Sequence, residues 1–108
     1  MCHCLACQQR TGSVFGVQAR FPREAVIARQ GDATAFTRTG DSGNTATLYF
    51  CPRCGTTVYW EMATQPDVLA VAVGAFADPG FPPPRLSVYE ARSHAWALPS
   101  GVDLEHLD

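Results

Sequence analysis

Apolar and polar residues alternate along much of this chain, and the period is mostly two. Thr45–Phe50 is the clearest case: Ala46, Leu48 and Phe50 fall on one face, and Thr45, Thr47 and Tyr49 on the other. That pattern predicts a half-buried strand. Val14–Phe21, rich in β-branched and aromatic residues, predicts another that stops at Pro22. Ala25–Arg29 and Ala35–Thr39 read as strands on either side of the turn-prone Gln30-Gly31-Asp32, and Asp41-Ser42-Gly43-Asn44 reads as a turn. Thr57–Glu61 follows the segment Cys51–Gly55, which reads as a knuckle at the tip of a hairpin. Val68–Phe76 is apolar on both faces and predicts a buried central strand. Asp78–Arg85 holds four prolines, which lack a ladder donor, so it predicts an extended surface loop. Helix signals are few. Pro22-Arg23-Glu24 suits a single turn, and Leu86–Trp96 is ambiguous. The expected fold is mainly β, in one domain over residues 1–108.

Composition narrows the function classes. At 46% apolar the chain can bury a small core, and metal staples often supplement such cores. No stretch approaches the roughly 18–20 apolar residues of a membrane span. The net charge is −2, and the eight basic residues, all Arg, are scattered rather than clustered. Phosphate binding needs a basic face, so no nucleic-acid partner is expected.

The five cysteines carry the chemistry. Cys2, Cys4 and Cys7 form C-H-C-L-A-C, and Cys51 and Cys54 form C-P-R-C-G. Thiolates so spaced on tight turns converge on one soft cation, and zinc takes four of them at about 2.3 Å. Disulfides would leave an odd thiol, and Cys2 and Cys4 are too close to pair without strain. No apolar leader precedes them, which gives no reason to expect an oxidising compartment and favours the cytoplasm. Redox use of a C-x-x-C needs a βαβ setting that Pro52 and Gly55 do not suggest.

Two arrangements follow from ligand counting. In one, Cys51 and Cys54 hold zinc with two thiolates and complete the shell from water or a partner chain. In the other, Cys4 or Cys2 joins Cys7, Cys51 and Cys54 in one closed site, which leaves no open position for catalysis. Zinc is expected at one or two ions per chain.

Other residues have a role and a plainer reading. Alternation turns His3 away from Cys2 and Cys4, towards an exposed place or one supporting the ligands. His94 and His106 read as surface histidines. Arg10, Thr11 and Ser13 suit either a capped turn or a polar cradle for a carboxylate, with Arg10 forking to it. Tyr49, Tyr59, Trp60, Phe76 and Trp96 read as packing. Glu61 and Asp41 are possible acids or bases without a diagnostic partner.

C-H-C-L-A-C-Q-Q-R-T-G-S-V-F-G-V, F-C-P-R-C-G-T-T-V-Y-W, V-A-V-G-A-F-A-D-P and the closing P-P-P-x-x-S-V-Y-E-x-R-x-x-A-W resemble the glutathione-dependent formaldehyde-activating enzyme family, to which centromere protein V also belongs. The resemblance runs from residue 1 to about residue 99. It implies a zinc-bearing β-tent, an architecture shared with methionine sulfoxide reductase B. It also implies two metal sites. Cys2, Cys4 and Cys7 map onto the proposed catalytic zinc. Cys51 and Cys54 map onto a structural zinc, whose other ligands are a C-x-C pair on an earlier strand. That pair is absent from this sequence, so the expectation is an N-terminally shortened member or one whose start lies upstream.

The activity implied is that of a carbon–sulfur lyase, joining glutathione and formaldehyde as S-hydroxymethylglutathione, with a small thiol such as glutathione as substrate. The alternative is a non-catalytic zinc-stapled β module that binds protein. A sulfoxide reductase would need a further cysteine after Cys54, and none follows. An open sheet edge, left without its neighbouring strand, predicts a homodimer.

Overall fold

The period-two segments build a five-stranded sheet. In the computed structural model, which describes residues 1–40 and 42–108, the strands are β1 (Gln18–Pro22), β2 (Thr34–Thr39), β3 (Thr45–Phe50), β4 (Thr57–Met62) and β5 (Gln65–Ala72). Their order across the sheet is β1-β5-β4-β3-β2. The ladders from β2 to β5 are antiparallel. Cross-strand register places Phe36, Leu48, Trp60 and Ala70 in one row. Leu48, Trp60, Ala70 and Ala72 are the buried core of the unit Ala19–Ala77, with Ala46, Met62 and Ala75 packed against them.

The opposite face mixes polar and aromatic residues with aliphatic ones, Leu69 among them buried. Tyr49 and Tyr59 stack with ring centroids 4.6 Å apart. The Arg29 guanidinium lies 5.0 Å over the Tyr59 ring. Arg23 bridges to Glu61 at 2.8 Å.

A second unit comprises Met1–Gln18 and Asp78–Asp108. Its framework is backbone pairing around the first residues. Cys2 and Gly16 exchange N–H···O bonds of 2.8 and 2.9 Å, an antiparallel bridge. On the other side the His3 N–H donates to Val88 O and the Val88 N–H donates to Met1 O. The strands β6 (Leu86–Ser87) and β7 (Glu105–His106) pair in parallel. A helix, α1 (Leu5–Thr11), follows directly. No described helix is long and apolar enough to cross a membrane.

The strand reading holds for β2, β3, β4 and most of β5, and the loop reading holds for residues 78–85. Four details are corrected. The first strand begins at Gln18 rather than Val14, because Gly16 pairs with Cys2. Ala25–Arg29 is not a strand: a 3₁₀ turn at Arg23–Ala25 ends there, and Ile27 projects into solvent, 98% exposed. The apolar run Val68–Phe76 leaves the sheet at Ala72 and closes in a 3₁₀ turn over Val73–Phe76. Finally, α1 lacks the apolar stripe that announces a helix. Its signals are a run of good helix formers, Leu5 to Arg10, stopped by Gly12 at φ 67°.

Trp60 is buried as expected of a packing residue, but Phe76 is 44% exposed and Trp96 76% exposed. Asp41, read as part of a turn and as a possible acid or base, lies outside the described residues.

Candidate metal centre

Three sulfurs converge at the start of the second unit. The Sγ atoms of Cys2, Cys4 and Cys7 all lie within 4.8 Å of one another. Cys2 is delivered by its pairing with Gly16 and Val88. Cys4 is the N-cap of α1, and its sulfur accepts the Cys7 N–H at 3.4 Å. Cys7 follows one turn later, so the helix brings the i and i+3 sulfurs to one side. Cys2 and Cys4 are buried and Cys7 is half-buried.

Gly16 makes room for this. A Cβ there would stand 2.7 Å from the Arg10 guanidinium and 3.4 Å from the Cys7 Cβ. Thr11 ties the end of the helix: its hydroxyl lies within hydrogen-bond reach of the carbonyls of Cys7, Gln8 and Phe15, and it accepts the Ser13 N–H. Ser13 itself is exposed.

The electrostatics favour a cation. Hydrogen bonds from Cys2 and then Cys7 hold the Cys4 thiol down to about 2, helped by the backbone N–H groups of Cys7 and Ala6. The same contacts act in reverse on the neighbours. Cys7 is pushed far up by its bonds with Cys2 and Cys4 and by burial, and Cys2 is raised chiefly by its bond with Cys4. Three negative sulfurs at this spacing repel one another, so full deprotonation is disfavoured without a counter-charge. A divalent cation removes that penalty.

Zinc passes the test of fit. Two thiolates on one zinc at about 2.3 Å stand about 3.8 Å apart at the tetrahedral angle, within the spacing of this cluster. Among the described residues, no other group of three or more potential ligands meets the same criterion.

His3 sits between two of these cysteines but is not in the group. It is fully buried rather than exposed, and its Nε2 lies 3.1 Å from the equally buried Ser87 hydroxyl. Its Nδ1 is buried with no hydrogen-bond partner among the described residues. Burial lowers its pKa, against the pull of the Glu90 charge. Gln8 was not singled out by the sequence, yet its side-chain amide donates to His3 O at 2.8 Å and to Arg92 O at 3.0 Å. Ser87 stood in the closing S-V-Y-E motif without a role. The remaining signal was position: Gln8 is four residues after Cys4 on the helix. The Ser87–His3 contact had no signal, since 84 residues separate the two.

The other pair lies in the sheet unit, on the turn between β3 and β4. The Gly55 N–H closes this turn onto Cys51 O at 2.8 Å, and Gly55 takes φ 77°, a left-handed conformation suited to glycine. Cys54 is exposed, with its sulfur 3.2 Å from the Thr56 hydroxyl. Thr56, by its hydroxyl and its backbone, and then Cys51 lower the Cys54 pKa. The turn therefore favours thiolate, the form that binds metal.

Compared with known families, residues 1–92 match the model described as glutathione-dependent formaldehyde-activating enzyme. No curated protein matches the chain.

Proposed function

The chain belongs to the glutathione-dependent formaldehyde-activating enzyme family, and from that premise we propose that it is a zinc-dependent carbon–sulfur lyase that joins glutathione to formaldehyde. The observation that carries the reading is the three-sulfur cluster, one ligand short of a closed tetrahedron. When bound, zinc would keep the three thiolates anionic and offer its fourth position to a substrate sulfur.

The overall change is simple. The glutathione sulfur forms a bond to the formaldehyde carbon, the C=O π bond breaks, and the thiol proton ends on the new hydroxyl. The protein's part is to gather negative sulfur in a partly dehydrated site. Cys2 and Cys4 form the buried side of the cluster, and half-buried Cys7 is its most accessible member. Arg10, Thr11 and Ser13 are assigned to the carboxylate end of glutathione: Arg10 by charge, exposed Ser13 by its hydroxyl, and Thr11 by holding the turn that carries them.

Cys51 and Cys54 are assigned to a structural site. Cys51→Ser should then lower the melting temperature or cause aggregation, because binding energy there is folding energy. The same reading includes a homodimer through β2, which ends the sheet and is exposed at every residue but Arg38. Light scattering at high concentration tests it, and a monodisperse monomer removes it.

The deciding experiment is cobalt(II) substitution followed by titration with glutathione. The thiolate-to-cobalt absorption should shift, and Cys2→Ser should abolish the shift. Product formation is followed in parallel by NMR with labelled formaldehyde. A spectrum unmoved by millimolar glutathione sinks the lyase reading and favours the non-catalytic zinc module.

A further inference from the structure

The C-H-C segment is held by groups remote from it in sequence. Ser87 is wholly buried, and among the described residues its hydroxyl alone hydrogen-bonds the His3 ring, Nδ1 having no partner there. The ring also lies against Phe15, at a centroid distance of 6.2 Å. Main-chain pairing of His3 with Val88 places Ser87 beside the same segment. Gln8 acts from the other end. One amide nitrogen spans the His3 carbonyl and the Arg92 carbonyl, linking the ligand segment, α1 and the 3₁₀ turn Glu90–Arg92. Ser87 is backed in turn by Glu90, which lies 2.6 Å from His106 Nδ1 on β7. The Ser87 hydroxyl helps keep the Glu90 carboxyl below its ordinary range.

We propose that Ser87 and Gln8 are positioning residues for the cysteine cluster, fixing His3 by its ring and its carbonyl so that Cys2 and Cys4 present their sulfurs at metal-binding spacing. His3 is the residue between those two cysteines. A rotation of its backbone moves both. In this role the ring is a peg, and Ser87 is the socket. Polar partners one layer behind metal ligands commonly govern affinity in this way. The proposal rests on the reading that Cys2, Cys4 and Cys7 hold the working metal.

The test measures cobalt(II) and zinc affinity by competition with a chromophoric chelator, together with amide hydrogen exchange at residues 2–4 in chelator-treated protein. Ser87→Ala is expected to weaken metal binding by about 10–100-fold and to speed exchange at Cys2, His3 and Cys4. Exchange in the sheet unit should stay unchanged. Ser87→Thr, which keeps the hydroxyl, should restore most of the affinity. Gln8→Met, which keeps length and loses the donors, should act in the same direction, and it decides the matter if Ser87→Ala does not fold.

Parent-like affinity in a folded Ser87→Ala or Gln8→Met protein overturns the inference. So does faster exchange without any loss of affinity, since that marks a purely structural role. A parent protein that takes up no cobalt at Cys2, Cys4 and Cys7 overturns the metal-site reading itself. A parent that binds while both variants match it overturns only the positioning role.

Discussion

The two units of this chain are filled with different materials. The sheet unit buries Leu48, Trp60, Ala70 and Ala72, an apolar row set by strand register. The other unit buries Met1, Cys2, His3, Cys4, Ser87 and Ala97. Its interior is largely sulfur, imidazole and hydroxyl. Apolar burial stabilises by itself, at roughly 25 cal/mol per Å². Polar and ionisable groups stabilise only when each finds a partner. The apolar core of the sheet unit should therefore form without a ligand, and only the turn that carries Cys51 and Cys54 should draw on metal there. The cysteine-bearing unit should depend on what its sulfurs bind.

The largest expected effect breaks the apolar side of this contrast. Trp60→Ala removes the largest side chain of the sheet core and should cost about 3–5 kcal/mol. Urea denaturation followed by far-UV circular dichroism measures it, and a loss of equal size in a Cys4→Ser background would show the core independent of metal at Cys2, Cys4 and Cys7.

Chelation probes the polar side. Removing a metal present at a hundredfold excess over its Kd withdraws about 2.7 kcal/mol. Hydrogen exchange should then accelerate around residues 2–11 and at the Cys51–Gly55 turn, while Leu48, Trp60 and Ala70 in the apolar core keep their protection. Cys4→Ser should reproduce the acceleration around residues 2–11 without chelator, and leave the Cys51–Gly55 turn as it is. Equal acceleration in both units would show that they do not differ in the way their interiors suggest.

A smaller effect sharpens the contrast through pH. Arg23 holds the Glu61 carboxyl below its ordinary value of 4.5. A carboxyl depressed in the folded state contributes stability that is present above the unfolded value and is lost as pH falls through the folded one. Both side chains are partly exposed, at 41% and 25%, so solvent screening limits the contribution to below about 1 kcal/mol. Glu61→Gln should therefore lower the melting temperature slightly at pH 7. The difference from the parent should shrink as pH falls below 4.5 and vanish once pH passes below the folded carboxyl's own, lower value. A difference that persists in acid would assign the effect to packing.

The smallest effect lies on the sheet surface. The Thr37 and Thr47 hydroxyls meet across β2 and β3 at 3.0 Å. Thr37→Val should change stability by only a few tenths of a kcal/mol, within the roughly 0.2–1 kcal/mol of such pairs. A loss well beyond that range, read from the urea midpoint, would mean that the β2 edge carries more than a surface pair.

Sequence by itself determined the parts whose cause is local. Alternation at Thr45–Phe50 and Thr57–Glu61 marks strands because side chains on a strand take opposite faces in turn. The knuckle at Cys51–Gly55 was legible because Gly55 is one of the few residues at ease at positive φ. The spacing of Cys2, Cys4 and Cys7 announced a cluster able to hold metal, because an extended residue followed by one helical turn suffices to gather the sulfurs. Tertiary structure decided the rest. Val14–Val17 has the composition of a strand, yet Gly16 spends its hydrogen bonds on Cys2. Ala25–Arg29 has an apolar pattern with nothing to pair against, and Ile27 is left in water. The socket for His3 is supplied by Ser87, 84 residues away. No local pattern encodes such a contact, because the closure of a long loop is repaid only when the whole unit folds around it.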